Sequence, residues 1–281
     1  MKSYLLAILR KIVLVPSSRW HPLVFIEGGL GSQILNVLRF WNLQEVNIGK
    51  NVKCDLSYFR YTDRSHLWNW ELGRYGIDLN QIAKFESKSR LNKYREKFDY
   101  LNINELNKNY WRTIRNKYID RFSFPHELIR EDLNRELKQK NLGDYCAIHI
   151  RRGDYLSVAS KLVQFDEYLD VTSKILGLLP QNIVLVSDST ISTHVISEFE
   201  NILPERKIFT LDNPSLDPYF IHCTLRMAKV LITGNSTFSF SAALLGDDNQ
   251  ISLSPNQFHS GKNSERYNAT FRDAGNFFLW N

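Results

Sequence analysis

The run Arg151-Arg152-Gly153-Asp154 sets two guanidinium groups beside a glycine and a carboxylate. Arginine offers a planar fork that grips phosphate oxygens in bidentate fashion, and adjacent arginines are costly to pack unless something anionic meets them. Gly153 lets the backbone turn closely, while Asp154 can orient an arginine or accept a hydroxyl or ring N–H. From these residues alone the run is either a phosphate grip or a surface turn in which Asp154 pairs with Arg151. Two further clusters, Ser187-Asp188-Ser189-Thr190 and Thr233-Gly234-Asn235-Ser236-Thr237, are rich in small hydroxyl side chains. At a helix start such residues offer N–H groups, oxygens and a positive dipole end to an anion, and an ordinary N-cap uses the same residues.

The turn Gly28-Gly29-Leu30-Gly31-Ser32-Gln33 follows a short apolar run, and Asp55 closes the next one. This half-resembles a dinucleotide-binding fingerprint, but Ser32-Gln33-Ile34 stands where the third glycine belongs. A nucleotide- or NAD-binding turn through Gly28–Gly31 and a plain structural turn both fit. Glu27, just before the glycines, is either a general base or a strand-end carboxylate held in a salt bridge. Cys54, Cys146 and Cys223 are odd in number with no CxxC pair, so neither a disulfide framework nor a structural zinc is expected. The chain has no DxD triplet, a common carboxylate pair for a divalent metal, and Asp247-Asp248 are merely adjacent. No metal and no cofactor are expected.

Elements must bring these groups together. Leu23–Ile26 and Val52–Leu56 are predicted strands, separated by a helix with Ile34, Val37, Leu38 and Trp41 on one face and Asn36 and Arg39 on the other. Residues 58–124 have no clean period and are expected to form short helices and loops that carry a specificity surface. A helix is predicted over 126–140, with Leu128, Ile129, Leu133 and Leu137 inward, and the domain boundary is placed there, giving domains 1–125 and 126–281. Strands are then predicted at Tyr145–Ile150, Asn182–Val186, Lys207–Phe209 and Lys229–Ile232, with a helix near 165–179 and another from Phe240 to Leu245. Strands alternating with helices imply an α/β doubly wound domain, in which ligands gather beyond the carboxyl ends of parallel strands. The three polar clusters each follow such a strand, so they converge on one edge.

At 281 residues, two domains are the default. A net charge of +6 suits an anionic ligand, a nucleic acid or a membrane surface. No basic stripe is interleaved with aromatics, so nucleic acid is not expected. Residues 4–15 are apolar but interrupted by Arg10-Lys11, and fall short of the about 20 residues that span a bilayer. They either pack on their own domain or lie on a membrane surface. Reduced cysteines fit the cytoplasm, with the inner face of the plasma membrane as the place for any peripheral contact.

Together these motifs resemble a known family. His149-Ile150-Arg151-Arg152-Gly153-Asp154-Tyr155 is similar to the HxRRGDY motif of the α-1,2-fucosyltransferases of glycosyltransferase family 11. Gly28–Gln33 resembles that family's GGLGNQ signature, with Ser32 in place of Asn. Val186-Ser187-Asp188-Ser189 resembles its second motif and Asn235-Ser236-Thr237-Phe238-Ser239 its third, with Phe240-Ser241 where paired tryptophans are common. The resemblance implies a GT-B-like architecture, two facing Rossmann-like domains with the donor on the C-terminal one and the acceptor on the N-terminal side. It implies inverting, metal-independent transfer of L-fucose from GDP-β-L-fucose to a galactosyl hydroxyl in bacterial surface polysaccharide, with an acceptor that can be lipid-linked. Arg152 would bind the donor diphosphate with Arg151 supporting it. His149 and Asp154 would hold the nucleotide, Ser236 and Thr237 would meet the phosphates, and Asp188, Asn235, Gly29 and Gly31 belong to the matching donor motifs. Glu27 would face the cleft as base.

Overall fold

The computed structural model describes residues 23–26, 28–46, 53–56, 59, 69–78, 84–85, 110–157, 162–255 and 277–280. Its chain divides into two units, Met1–Gly73 with Ile77–Asn107, and Arg74–Gly76 with Lys108–Asn281.

In the first unit, β1 (Leu23–Phe25) leads through the glycine turn into α1 (Leu30–Val46), followed by β2 (Lys53–Asp55) and β3 (Lys84–Phe85). The three strands pair in parallel in the order β1-β2-β3. The α1 face is broader than its period suggests. Ile34, Val37 and Leu38 are buried as expected, but so are Leu35 and Phe40, and Asn36, expected on the solvent side, is buried with them.

In the second unit, α2 (Tyr110–Tyr118) and α3 (His126–Glu136) precede the sheet. The predicted helix over 126–140 ends at Glu136, and Lys138 takes a left-handed conformation at φ 53° that closes it. Ile129, Leu133 and Leu137 are inward as expected, whereas Leu128 is exposed. Then come β4 (Tyr145–Ile150), α4 (Phe165–Lys174), β5 (Asn182–Ser187), α5 (Thr193–Ile202), β6 (Lys207–Leu211), α6 (Pro218–Met227), β7 (Val230–Ile232), α7 (Thr237–Leu244), β8 (Ile251–Pro255) and β9 (Phe277–Trp280). The sequence pattern does not mark β3, α5, α6, β8 or β9 as elements.

All six strands of this sheet are parallel, in the order β6-β5-β4-β7-β8-β9. The fold is α/β and doubly wound, as the alternation implies. The β4 strand is buried along its whole length, and its side chains alternate between faces. Ile148 and Ile150 join Ile183, Leu185, Ile232 and Leu253 beneath Tyr168 and Val171 of α4 and Val195 and Phe199 of α5. Each such aliphatic side chain contributes about 1.5–3 kcal/mol when fully buried. His149 therefore points to the opposite face, where its ring meets Phe238 of α7 with centroids 5.7 Å apart.

Candidate functional site

The strand order places a switch point in the middle of the sheet. From β4 the chain winds outward through β5 to β6, then crosses to β7 on the other side of β4 and outward again. A crevice opens at such a reversal, beyond the carboxyl ends of the two strands that flank it. Here those ends carry Arg151 and Arg152 after β4 and Thr233 to Ser236 after β7, with Asp188 following the neighbouring β5. The three clusters do converge on one edge.

Asp188 organises the arginine turn. One carboxylate oxygen, Oδ1, accepts the backbone N–H groups of Arg152 at 2.8 Å and Gly153 at 3.1 Å. The other, Oδ2, pairs with Arg151 Nη1 at 2.6 Å. A β-carbon at residue 153 would collide with that carboxylate, so this close approach requires glycine. The carboxylate seen to meet Arg151 thus comes from the next strand. Asp154 lies in the 3-10 turn Gly153–Ser157, and its side chain is outside the described residues.

Arg152 is held differently. Its guanidinium carbon lies 3.7 Å from the centroid of the Phe165 ring, a cation–π stack at the start of α4. It is half-buried, and burial lowers its pKa, with nearby Tyr168 acting the other way. Among the described residues no carboxylate pairs with it. A desolvated cation, fixed on a ring and without a counterion, attracts an anion.

His149 sits beneath the crevice, 3% exposed. Burial, reinforced by the charge of Arg151, brings its pKa down to about 3, so the ring is neutral at physiological pH. Its Nδ1 is buried without a hydrogen-bond partner. The carbonyl of His149 accepts the Tyr168 hydroxyl at 3.1 Å. Gly234 passes so close that a β-carbon there would lie 2.9 Å from that carbonyl and 3.0 Å from the Tyr168 oxygen. Beyond it, Ser236 caps α7, its hydroxyl accepting the Phe238 N–H at 3.3 Å, and both Asn235 and Ser236 are buried. The Ser236 hydroxyl keeps its own proton to donate. Thr237 is the first residue of α7, at the positive end of the helix dipole.

The glycine turn belongs to the first unit. Gly28 adopts φ 79°, a left-handed conformation that favours glycine. Gln33, fully buried, donates from Nε2 to the carbonyls of Gly28 at 2.9 Å and Asn69 at 2.8 Å, and its Oε1 accepts the Glu71 N–H at 3.0 Å. Gly29 and Gly31 lie at the entry to α1 and within its first turn. Glu27 and residues 4–15 lie outside the described residues, and of Asp55 only the backbone is described. Among the described residues, no three His, Cys, Asp or Glu side chains gather as a metal site, and no helix is long and apolar enough to cross a membrane.

No protein-family model matches the chain, and no curated protein matches it. Among solved structures it is similar to POFUT1 in complex with GDP-fucose, at 12% identity and a TM-score of 0.44 over 85% of this chain and 98% of that one. It is similar to POFUT1 in complex with GDP at 13% and 0.41 over 86% and 96%, and to the apo form of POFUT1 at 14% and 0.39 over 95% and 99%. At that identity and score the likeness assigns no residue a role.

Phe165 and Tyr168, which seat Arg152 and the His149 carbonyl, were not singled out from sequence. An aromatic at the start of a helix carries no mark of the arginine it will stack on.

Proposed function

We propose that the chain is a glycosyltransferase of the α-1,2-fucosyltransferase kind, moving L-fucose from GDP-β-L-fucose to a galactosyl hydroxyl with inversion. The observation that carries the reading is the half-buried Arg152, stacked on Phe165 and without a carboxylate, beside the switch point onto which α7 opens. The choice of GDP-fucose rests on the ordered motif resemblance around it. In the reaction the acceptor oxygen attacks the anomeric carbon, the bond from that carbon to the β-phosphate oxygen breaks, and GDP leaves with the electron pair. Negative charge grows on the β-phosphate as the sugar becomes oxocarbenium-like. A fixed guanidinium and the first-turn N–H groups of α7 stabilise that charge more than they stabilise the bound donor. Arg151, tied to Asp188, shapes the turn and adds positive field. Glu27 is the proposed acceptor of the hydroxyl proton. The proposed acceptor is a galactose-containing glycan, lipid-linked or free, of a bacterial surface polysaccharide, met at the cytoplasmic face of the membrane with residues 4–15 as the contact. No metal is proposed to take part.

The test is GDP release from GDP-fucose with a panel of galactosyl disaccharides in EDTA, with product linkage determined by mass analysis. Turnover to an α-1,2 product that Arg152→Ala cuts by about 10²–10³ is the expected result. No turnover across the panel together with no GDP binding would overturn the reading.

A further inference from the structure

Buried polar contacts hold the short helix whose N-terminus opens on the crevice. His222 of α6 is fully buried, and both ring nitrogens are engaged. Its Nδ1 lies 2.7 Å from the Tyr75 hydroxyl and its Nε2 2.9 Å from Ser241 Oγ of α7. Proton accounting sets the tautomer. Ser241 has one hydroxyl proton, and it is donated to the Phe238 carbonyl at 2.9 Å. Ser241 must therefore accept from His222 Nε2–H, which leaves Nδ1 to accept the Tyr75 O–H. The hydrogen bonds run one way, from Tyr75 through His222 and Ser241 to the carbonyl of Phe238 in the first turn of α7.

Phe238 is where this string reaches the site. Its N–H is capped by Ser236, and its ring lies between two histidines, 5.7 Å from His149 and 5.3 Å from His222. At the other end of α7, Arg226 donates from Nε to the Leu245 carbonyl at 2.9 Å and from Nη1 to the Phe122 carbonyl at 2.6 Å, setting a buried cation at the negative end of the dipole. Tyr75 itself is buried with the second unit, and its neighbour Arg74 reaches Asp217, the N-cap of α6, at 2.5 Å. Ser241 also occupies one of the two positions where this chain departs from the tryptophans of the motif it resembles. A tryptophan could not both accept from His222 and donate back to Phe238, so the departure and the string go together.

We infer that Tyr75, His222 and Ser241 form a positioning relay that sets the angle of α7, and through it where Ser236, Thr237 and the first-turn N–H groups meet the donor diphosphate. This rests on the phosphate reading of the crevice. All three are buried, so their effect falls on affinity and on local order.

The test uses the full chain. Hydrogen exchange of the segment 234–241 is followed without ligand, with β5 as an internal control for global opening, and GDP is titrated by calorimetry. Ser241→Ala and Tyr75→Phe are expected to speed exchange in 234–241 but not in β5, and to weaken GDP by about tenfold. Ser241→Thr, which keeps the hydroxyl, is expected to restore both. Unchanged exchange in 234–241 overturns the relay whether or not GDP binds. Faster exchange with unchanged GDP affinity also overturns it, because the string would then be structural only. A wild-type chain that binds no GDP sinks the donor reading, and the role given to the relay with it; unchanged exchange or unchanged affinity in variants of a chain that does bind GDP sinks the relay alone.

Discussion

Two strand-end turns in this molecule are braced by a buried or half-buried polar side chain from outside the turn's tip, and they differ in what the brace leaves unsatisfied. At Gly28–Gly31 the Gln33 amide takes two carbonyls and one N–H, and the groups it joins are neutral. At Arg151–Gly153 the Asp188 carboxylate takes two N–H groups and the Arg151 guanidinium, and Arg152 remains a cation stacked on Phe165. The first arrangement is what a structural turn needs. The second keeps a partly desolvated positive charge in place at a switch point, offset by the Phe165 ring and without a carboxylate, where an anion would add to its stabilisation. The glycine signature alone therefore argues little for a phosphate site, whereas the arginine turn argues for one through a charge its brace leaves unmatched.

Substitutions at the two turns test that contrast. Arg152→Ala removes the unmatched charge without touching the brace, and is expected to cut transfer by about 10²–10³ with a circular dichroism spectrum like that of the wild type. Arg152→Lys keeps charge but loses the planar fork, so its rate should lie between the two. Asp188→Ala removes the brace, leaving Arg151 and two N–H groups without their partner. It should lower stability by about 1–3 kcal/mol in denaturant unfolding and weaken GDP binding as well. Gln33→Ala should lower stability on a similar scale, and GDP affinity should stay where it was; a loss of affinity equal to that of Asp188→Ala would erase the contrast between the turns.

Acid tests the buried His149 and His222. Burial first, and then Arg151, lowers the pKa of His149 to about 3, and burial with Arg226 and His149 lowers that of His222 well below its ordinary value. As pH falls through about 6.5 the unfolded chain gains these protons and the folded chain does not. The stability they contribute is present above about pH 6.5 and is lost towards acid, at about 1.4 kcal/mol per pH unit for each histidine. Tm should decline between about pH 7.5 and pH 5, more gently in His149→Asn. The smallest effect is expected from Ser236→Ala, which loses the α7 cap and should cost about 0.5–2 kcal/mol in thermal unfolding.

Much of the sheet could be read in advance. Tyr145–Ile150 and Asn182–Ser187 are near-continuous apolar runs because both their faces are covered. Ile251–Pro255 escaped because Ser252 and Ser254, buried in the sheet, look like a loop in the sequence. Pro218–Met227 escaped because His222, Thr224 and Arg226 are buried alongside its apolar residues, which blurs any helical period. In the site, the convergence of the three clusters was legible from where they fall after strands. The role of Asp188 as a brace was not, since it depends on β5 lying beside β4, and neither was the seat of Arg152 on Phe165.

The most direct measurement is a calorimetric titration of GDP into the wild-type chain and Arg152→Ala, in EDTA, with NAD titrated in parallel. Saturable GDP binding that Arg152→Ala removes, and no NAD binding, is the predicted result. Equal GDP affinity in the two chains, or NAD binding indifferent to Arg152, would contradict a donor site built on that arginine.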